Sequence, residues 1–479
     1  METIEQFEIG IVGLGVMGRN LLLNIADHGF AVAGLDLDQE KVSVLESEAS
    51  DEHQVKGTTH VNEFLGLLKK PRAILLLVPA GNPVDLVIND MLPFLEAGDI
   101  LIDGGNTFFT DTERRLAALA EKKIHFFGMG VSGGEKGARY GPSMMPGGDK
   151  GAYERLRPVF EAIAAKVNLP AGQAGNEPCV AYMGNGSAGH YVKMVHNGIE
   201  YGIMQLISEV YDIMKRGLDL GNKKIQKAFE CWNQSELQSY LIEITAKVLT
   251  KRDEETGQRL VDLISDRARS KGTGKWTSQN AMDLQVPVPV IDAAVTMRDL
   301  SASKSGRAVA ARHFPPLAYD GETKDMERIV DRLKNALHFA IITTYAQGME
   351  QLQVASNTYN YKISLEQVAK IWRGGCIIRS ASLEDFRKAF AKNPALQNLI
   401  LDEEIGRTLQ DIQKDLRWLI KLSVDKGIPI ASFMAALSYF DAYRSAKLPT
   451  NLIQAQRDYF GAHQYERIDR EGIFHTQWD

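Results

Sequence analysis

Residues 7–18 read FEIGIVGLGVMG, a short apolar run that feeds three glycines at positions 13, 15 and 18. The run predicts a strand over residues 7–12, and residues 20–28 and 31–37 follow as a helix and a second strand. Gly13 permits a tight turn, Gly15 lets the backbone reach a pyrophosphate, and Gly18 allows the helix to pack on the strand. The phosphates then sit near the positive helix N-terminus. Leu14, Val16 and Met17, between the glycines, are assigned to the same contact. A glycine-rich turn without ligand is the alternative; the strand, turn and helix around this one favour a dinucleotide.

Working outward, residues 73–79, 99–103 and 124–129 read as further strands separated by helical lengths. That alternation predicts a parallel, doubly wound sheet and a Rossmann-like α/β domain over residues 1–180. Val78, at the end of one strand, and Asn106, after the next, are expected as further cofactor contacts. The second strand ends in Asp36-Leu37-Asp38, where such folds place an acid on the adenosine ribose. A 2′-phosphate there would face a carboxylate, and like charges about 4 Å apart repel by a few kcal/mol at a dielectric of about 20. No arginine stands at Leu37 to offset this, so the expected cofactor is NAD, with NADP disfavoured.

Two loops follow later strands at the sheet edge where ligands bind in this architecture. One is Asp103-Gly104-Gly105-Asn106, whose last residue offers an amide. The other contains Ser132, Gly133 and Gly134, whose backbone N–H groups can cradle a carboxylate. Either can be turn chemistry alone. Asp103 reads equally as loop stabiliser or catalyst, and His125, beside two phenylalanines, as structural.

A chain of 479 residues with 44% hydrophobic and 24% charged residues is that of an ordinary globular protein of two or three domains. A net charge of −6 argues against a general nucleic-acid binder. The apolar block at residues 73–78 is too short to span a bilayer, and METIEQFEIG lacks a leader pattern, so no membrane association and a cytoplasmic location are expected. Cys179, Cys231 and Cys376 lie far apart without metal-ligand spacing, and no metal is expected.

Residues 181–440 read as a large all-helical domain, with helices over 187–206, 223–250, 325–355, 364–372 and 401–425. In residues 187–206, SAGHYVKMVHNGIEYGIMQL, Val192, Val195, Ile199, Ile203 and Leu206 form an apolar stripe. Lys193, His196, Asn197, Glu200 and Tyr201 share a side pointing away from it. That set could hold a polyhydroxylated acid and move its protons; the alternative is a solvated face with a Lys/Glu pair. Gly198 and Gly202 weaken the helix and imply a close neighbour. Residues 270–276, SKGTGKW, form a glycine-broken loop suited to an oxyanion, with Lys271 and Thr273. Arg298 and Arg307 add guanidinium groups fit for phosphate.

Taken together, these stretches, with GVSGGEKGARYGPSMMPGG, GHYVKMVHNGIEYG, WRGGCIIRS and NLIQAQRDYFGAH, resemble the decarboxylating 6-phosphogluconate dehydrogenase family from residue 7 to near the C-terminus. The resemblance implies a homodimer that oxidises and decarboxylates 6-phospho-D-gluconate to ribulose 5-phosphate and carbon dioxide, in the pentose phosphate pathway. It implies Lys193 as general base and later acid, and Glu200 as the acid that protonates the enediol. Asn106, Ser132, Gly133, Gly134, His196 and Asn197 would contact the carboxylate and hydroxyl end of the sugar acid. Tyr201, Lys271, Thr273 and Arg298 would bind the phosphate, joined by Arg457 and His463 from the partner's tail, residues 441–479. By composition alone the helix at 451–460 and the polar stretch at 461–479 would be a frayed end.

Two positions depart from the family. NADP-using members typically have Asn-Arg-Thr at Asp36-Leu37-Asp38, which strengthens the NAD expectation, and Arg269 replaces a usual small residue. The rivals are another β-hydroxyacid dehydrogenase, with an unphosphorylated substrate, and an NAD-responsive scaffold without turnover. The cationic loop and helical domain weigh against the first, and Lys193 with Glu200 against the second.

Overall fold

The computed structural model describes residues 6–168, 175–314 and 325–478, so the first five residues of the N-terminal reading and short stretches within both predicted domains lie outside it. Seven strands form one sheet: β1 (Ile9–Val12), β2 (Val32–Leu35), β3 (Val55–Thr58), β4 (Ala73–Leu76), β5 (Ile100–Asp103), β6 (His125–Ser132) and β7 (Ser143–Gly148). Their order is β3-β2-β1-β4-β5-β6-β7, with Ile11 paired to Gly34 on one side and Leu75 on the other. Every residue of β1, β2, β4 and β5 is buried, as expected of strands covered by helices on both faces. Two separate apolar clusters fill those faces.

The sheet differs from the expected parallel one in the direction of one strand, β7, and in containing a further parallel strand, β3, that was not foreseen. β7 runs antiparallel to β6. The segment between Ser132 and Ser143 is shorter than the roughly dozen residues a parallel crossover takes, so the chain must turn back. β3 was not legible because Val55-Lys56-Gly57-Thr58 is a half-buried edge strand with neither an apolar run nor clean alternation.

The remainder is helical apart from short strand pairs. A helix at Ala188–Asp212 runs through its middle and packs on the longest helix, Met326–Thr358, on the helices Thr273–Asp283 and Pro289–Ala302, and on β6 and β7. Its apolar stripe is buried, and Met145 of β7 and Phe109 join the same helical core, so sheet and helices share an interface. Both ends are tied. Glu113 Oε1 accepts from Ser187 N at 2.7 Å, and Glu209 accepts from Ser432 N and Phe433 N at 3.0 and 3.2 Å, capping the helix Ala431–Tyr443.

Glycine permits the crowding. A Cβ at Gly198 would lie 2.5 Å from Thr277, and one at Gly202 2.7 Å from Thr344, which is the close approach those glycines imply. Gly189 is enclosed by backbone: a Cβ there would lie 2.3 Å from Gly128 O, 2.4 Å from Met145 O and 2.6 Å from Gly147 N.

Three helical readings change. Residues 223–250 divide into Asn222–Trp232 and Tyr240–Val248, because Ser239 Oγ accepts from Ile242 N and starts a new helix. The oxyanion loop is helical from Thr273 onward, after Gly272 turns the chain with φ +94°. The tail is ordered: after the helix Thr450–Gly461, residues 465–466 and 473–474 pair as a small hairpin around buried Asp458, which accepts from Gln464 N, His475 Nδ1, Thr476 N and Trp478 Nε1. Among the described residues no helix is long and apolar enough to cross a membrane.

Gly189→Ala should lower the unfolding free energy by about 3 kcal/mol, since its methyl would meet backbone on three sides. Gly66→Ala, at an exposed position of the helix Val61–Leu67 with open space around it, should raise it by about 1 kcal/mol. Urea denaturation of both variants checks the contrast, and equal midpoints would contradict it.

Candidate active site

The glycine turn opens onto a cleft of about 810 Å³ lined by Gly13, Gly15, Val16, Met17, Gly18, Asp36, Leu37, Asp38 and Val78 among others. Gly13 has φ +96°, and a Cβ there would lie 2.6 Å from Leu77 O. Gly18 rests directly against Gly13 O, whereas nothing lies near Gly15, which caps the helix Val16–Asp27 and faces open space. Backbone N–H groups at that helix start are therefore free to meet a pyrophosphate. Leu14 differs from its neighbours: its side chain is in the core, and its N–H donates to Asp36 Oδ2 at 2.8 Å.

Asp36 Oδ1 also accepts from Asp38 N at 3.0 Å, and Lys41 Nζ stands 3.3 Å from the same oxygen. Asp38 caps the helix Gln39–Glu48, and Leu37 is 88% exposed. Lys41, which the sequence reading missed, is the one cation among the described residues that line the cleft, against Asp36, Asp38 and Asp90. Its place in the first helical turn, three residues after Asp38, was the available signal.

At the carboxyl edge of the sheet, Asp103 is fully buried and shapes its loop. Its Oδ1 accepts from Gly105 N at 3.0 Å and its Oδ2 from Thr107 Oγ1 at 2.7 Å, leaving the following Asn106 exposed. Asp103 is thus the loop stabiliser of its two readings. Arg115, also buried and also missed, lies 3.4 Å from Asp103 Oδ2 and donates to Gly81 O and Asp85 at 2.9 Å. Those Arg115 hydrogen bonds hold Asp85 down to about 2. His125 pairs with Asp149, the cap of the helix Lys150–Ile163, and is structural.

The central helix supplies the rest. Lys193 and His196 are buried, not solvated, so the side facing away from the apolar stripe is a second interior face. Lys193 Nζ lies 3.4 Å from His196 Nδ1; His196 Nδ1 lies 3.0 Å from Asn197 Oδ1 and 3.9 Å from Glu200 Oε2; and His196 Nε2 lies 3.3 Å from Ser132 Oγ. Trp372 meets the His196 ring edge-on, and Gly375 O fills the space beside Gly133, while Gly134 is open. Burial lowers Lys193 from the ordinary amine range, partly offset by Glu200, and raises Glu200, partly offset by Lys193 and Arg298. Burial, reinforced by Lys193, also keeps His196 well below its usual value and neutral.

Farther along, Tyr201 packs over Gly274, and the Arg298 guanidinium lies 3.4 Å above the Tyr201 ring. Thr273 is buried at the first helical position and Lys271 is exposed just before it. The ring of Trp276 lies 5.0 Å from that of Phe108, which draws the Asn106 loop toward this helix start. Arg307 is committed elsewhere, to Asp266 and Ser301 O. Among the described residues, no group of three or more His, Cys, Asp or Glu is arranged for a metal ion.

This geometry can be set beside known proteins. The family model for the NAD binding domain of 6-phosphogluconate dehydrogenase matches residues 8–184, and that for the C-terminal domain of 6-phosphogluconate dehydrogenase matches residues 189–478. The chain belongs to the 6-phosphogluconate dehydrogenase family. The NADP(+)-dependent, decarboxylating 6-phosphogluconate dehydrogenase of Bacillus subtilis is 50% identical over 471 residues, covering 98% of this chain and 99% of that one. The decarboxylating enzyme of Escherichia coli is 48% identical over 472 residues, with 98% and 99% covered. The 6-phosphogluconate dehydrogenase of Plasmodium falciparum, solved in its apo form and in complexes with its cofactor NADP+ and its substrate 6-phosphogluconate, superposes with a TM-score of 0.94 at 44% identity, covering 98% and 100%.

The chain is accordingly a decarboxylating oxidoreductase of the 6-phosphogluconate dehydrogenase type, acting on a CH–OH donor with a nicotinamide dinucleotide. Matches to both domain models, and relatives of this name at about 50% identity over nearly the whole chain, set aside the rival hydroxyacid dehydrogenase. Two residues expected at the phosphate end are not brought there within one chain. No hydrogen bond, ion pair or ring contact among the described residues links Arg457 or His463 to the Lys193 region; Arg457 donates to Gln454, and His463 packs on Phe460.

Proposed function

We propose that this 6-phosphogluconate dehydrogenase homologue converts 6-phospho-D-gluconate to D-ribulose 5-phosphate and carbon dioxide in the cytoplasm, with NAD preferred and with Lys193 and Glu200 moving the protons. The observation that carries the assignment is a buried amine and a buried carboxyl on one helix, shifted in opposite directions: Lys193 toward neutral, Glu200 toward protonated. Those are the states a base and an acid need before turnover.

Neutral Lys193 takes the proton of the C3 hydroxyl while the C3 hydride passes to nicotinamide, leaving a β-keto acid. The C1–C2 bond then breaks, carbon dioxide leaves, and the electron pair moves toward the C3 oxygen, which the Lys193 ammonium protonates. Glu200 protonates the former C2 of the enediol, and Lys193 recovers the hydroxyl proton as the ketone forms. Asn106, Ser132, Gly133, Gly134, His196 and Asn197 bind the carboxylate and hydroxyl end. Tyr201, Lys271, Thr273 and Arg298 bind the phosphate, with Arg457 and His463 of the partner subunit in a homodimer. Leu452 and Phe460, 61% and 71% exposed on the tail helix, give that tail an apolar face for a second copy.

The NAD preference rests on charge. Asp36 can accept from both adenosine ribose hydroxyls, and a 2′-phosphate would meet three cleft-lining carboxylates against one ammonium.

Lys193→Ala should abolish both oxidation and carbon dioxide release, and Glu200→Gln should cut kcat strongly with a smaller change in KM. Near-normal kcat in either removes that residue from the mechanism. With 6-phosphogluconate, kcat/KM should be at least about tenfold higher for NAD than for NADP, equivalent to about 1.4 kcal/mol; a higher value for NADP refutes the preference. Mixing Lys193→Ala and Arg457→Ala subunits should restore activity through one intact site per hybrid dimer, and inactive verified hybrids would argue against tail exchange.

A further inference from the structure

Lys193 is not the only polar side chain that the central helix buries against the sheet. One turn earlier, His190 is 1% exposed and shares its face of the helix. Below them, Gly128 and Gly130 occupy alternate positions on one face of β6. A Cβ at Gly128 would strike the His190 ring, and one at Gly130 would strike Lys193 Cβ. The strand therefore offers two adjacent slots, one for the imidazole and one for the lysine stem.

The imidazole is fixed at both nitrogens. Nε2 lies 2.9 Å from Asp103 O, which can only accept, so Nε2 carries the proton. Burial lowers the ring's proton affinity and keeps it neutral, so Nδ1 is an acceptor, met by Thr112 Oγ1 at 2.7 Å. Thr112, Glu113 and Arg115 lie together on the helix Phe109–Ala120. Thr112 holds His190, Glu113 caps the helix start at Ser187, and Arg115 ties Asp103 to Gly81.

We propose that His190, held between Thr112 and Asp103, is a positioning residue that seats Lys193 in its glycine slot and keeps water from its amine. This rests on the reading of Lys193 as the base. Its charged and titratable neighbours are accounted for: His190 faces Asp103 and Arg115, whereas Lys193 faces His196 and Glu200 on its own helix and Cys376 from the segment after Trp372. A loosened seat admits water and removes the burial that lowers the lysine. Its pKa then rises toward the ordinary value, the neutral fraction at pH 7 falls, and the acid limb of the rate profile moves to higher pH.

The test is the pH profile of kcat/KM for 6-phosphogluconate in four variants. Thr112→Val keeps the shape and loses the donor to Nδ1; His190→Leu loses both hydrogen bonds; His190→Gln can still donate to Asp103 O; Lys193→Met is the control. The acid limb should move to higher pH in Thr112→Val and further in His190→Leu, with a fall of about tenfold or more at pH 7 in the latter, and His190→Gln should recover part of both. If Lys193→Met retains activity, the base assignment fails and the proposal with it. If Lys193→Met is inactive but the limb is unmoved in Thr112→Val and His190→Leu, only the role of His190 is overturned. Should His190→Leu not fold, Thr112→Val alone decides.

Discussion

The constraint on which this structure depends is the cost of burying an amine. An isolated ammonium inside a protein is penalised heavily, and the usual outcome is a neutral amine or a paired charge. Lys193 meets both conditions in part, since burial favours the neutral form while Glu200 and the neutral ring of His196 lie close by. That balance requires the central helix to sit deep, with side chains on opposite faces all enclosed. A helix enclosed in this way cannot present large residues wherever neighbours cross it. Gly189, Gly198 and Gly202 are the positions where β6, β7 and two helices come within van der Waals contact. The site is thus a consequence of how closely the helix can be approached.

The same depth couples the two halves of the molecule. Glu113 holds the start of the central helix to the nucleotide-binding part, and Glu209 holds its far end to the helix Ala431–Tyr443. Burial pushes Glu209 up to about 7 even though Ser432 N, Gln205 and Phe433 N donate to it. A helix anchored at both ends can bear on cofactor and substrate loops together. Asp103 shapes the Asn106 loop with its side chain and meets His190 through its carbonyl, so one residue serves loop and helix.

Much of this was legible in the sequence where one local pattern suffices. The glycine turn, the buried strands and the polar set from Lys193 to Tyr201 each depend on spacing within a dozen or so residues, and each was found. What escaped depends on tertiary partners. β7 reverses because its connection is short, β3 is an edge strand with a weak pattern, and residues 273–276 are helical because Gly272 provides a turn that a loop reading does not anticipate. Lys41, Arg115 and His190 carry no motif of their own; each matters because of the carboxylate or carbonyl that the fold brings against it. The solvated alternative for the Lys193 face failed for the same reason, since helical periodicity identifies a second side but not what covers it.

Cofactor choice shows how such partners alter a motif's meaning. Read as a string, Asp36-Leu37-Asp38 presents two acids to the adenosine end. In the fold their charges are not equivalent. Asp38 is occupied in capping a helix, whereas Asp36 is held by two backbone N–H groups and by Lys41. Those donors fix the Asp36 carboxylate and partly neutralise it, which lessens its repulsion of a phosphate without removing its capacity to accept from ribose hydroxyls. Lys41 works in both directions, since an ammonium paired with Asp36 is less available to a 2′-phosphate than a free one. An arginine at Leu37, exposed at the cleft's edge, would add a second cation beside Asp36 and Asp38. The charge that a 2′-phosphate would meet is therefore the sum of Asp36, Asp38, Asp90 and Lys41 over the cleft, and the exposed Leu37 adds nothing to offset the acids.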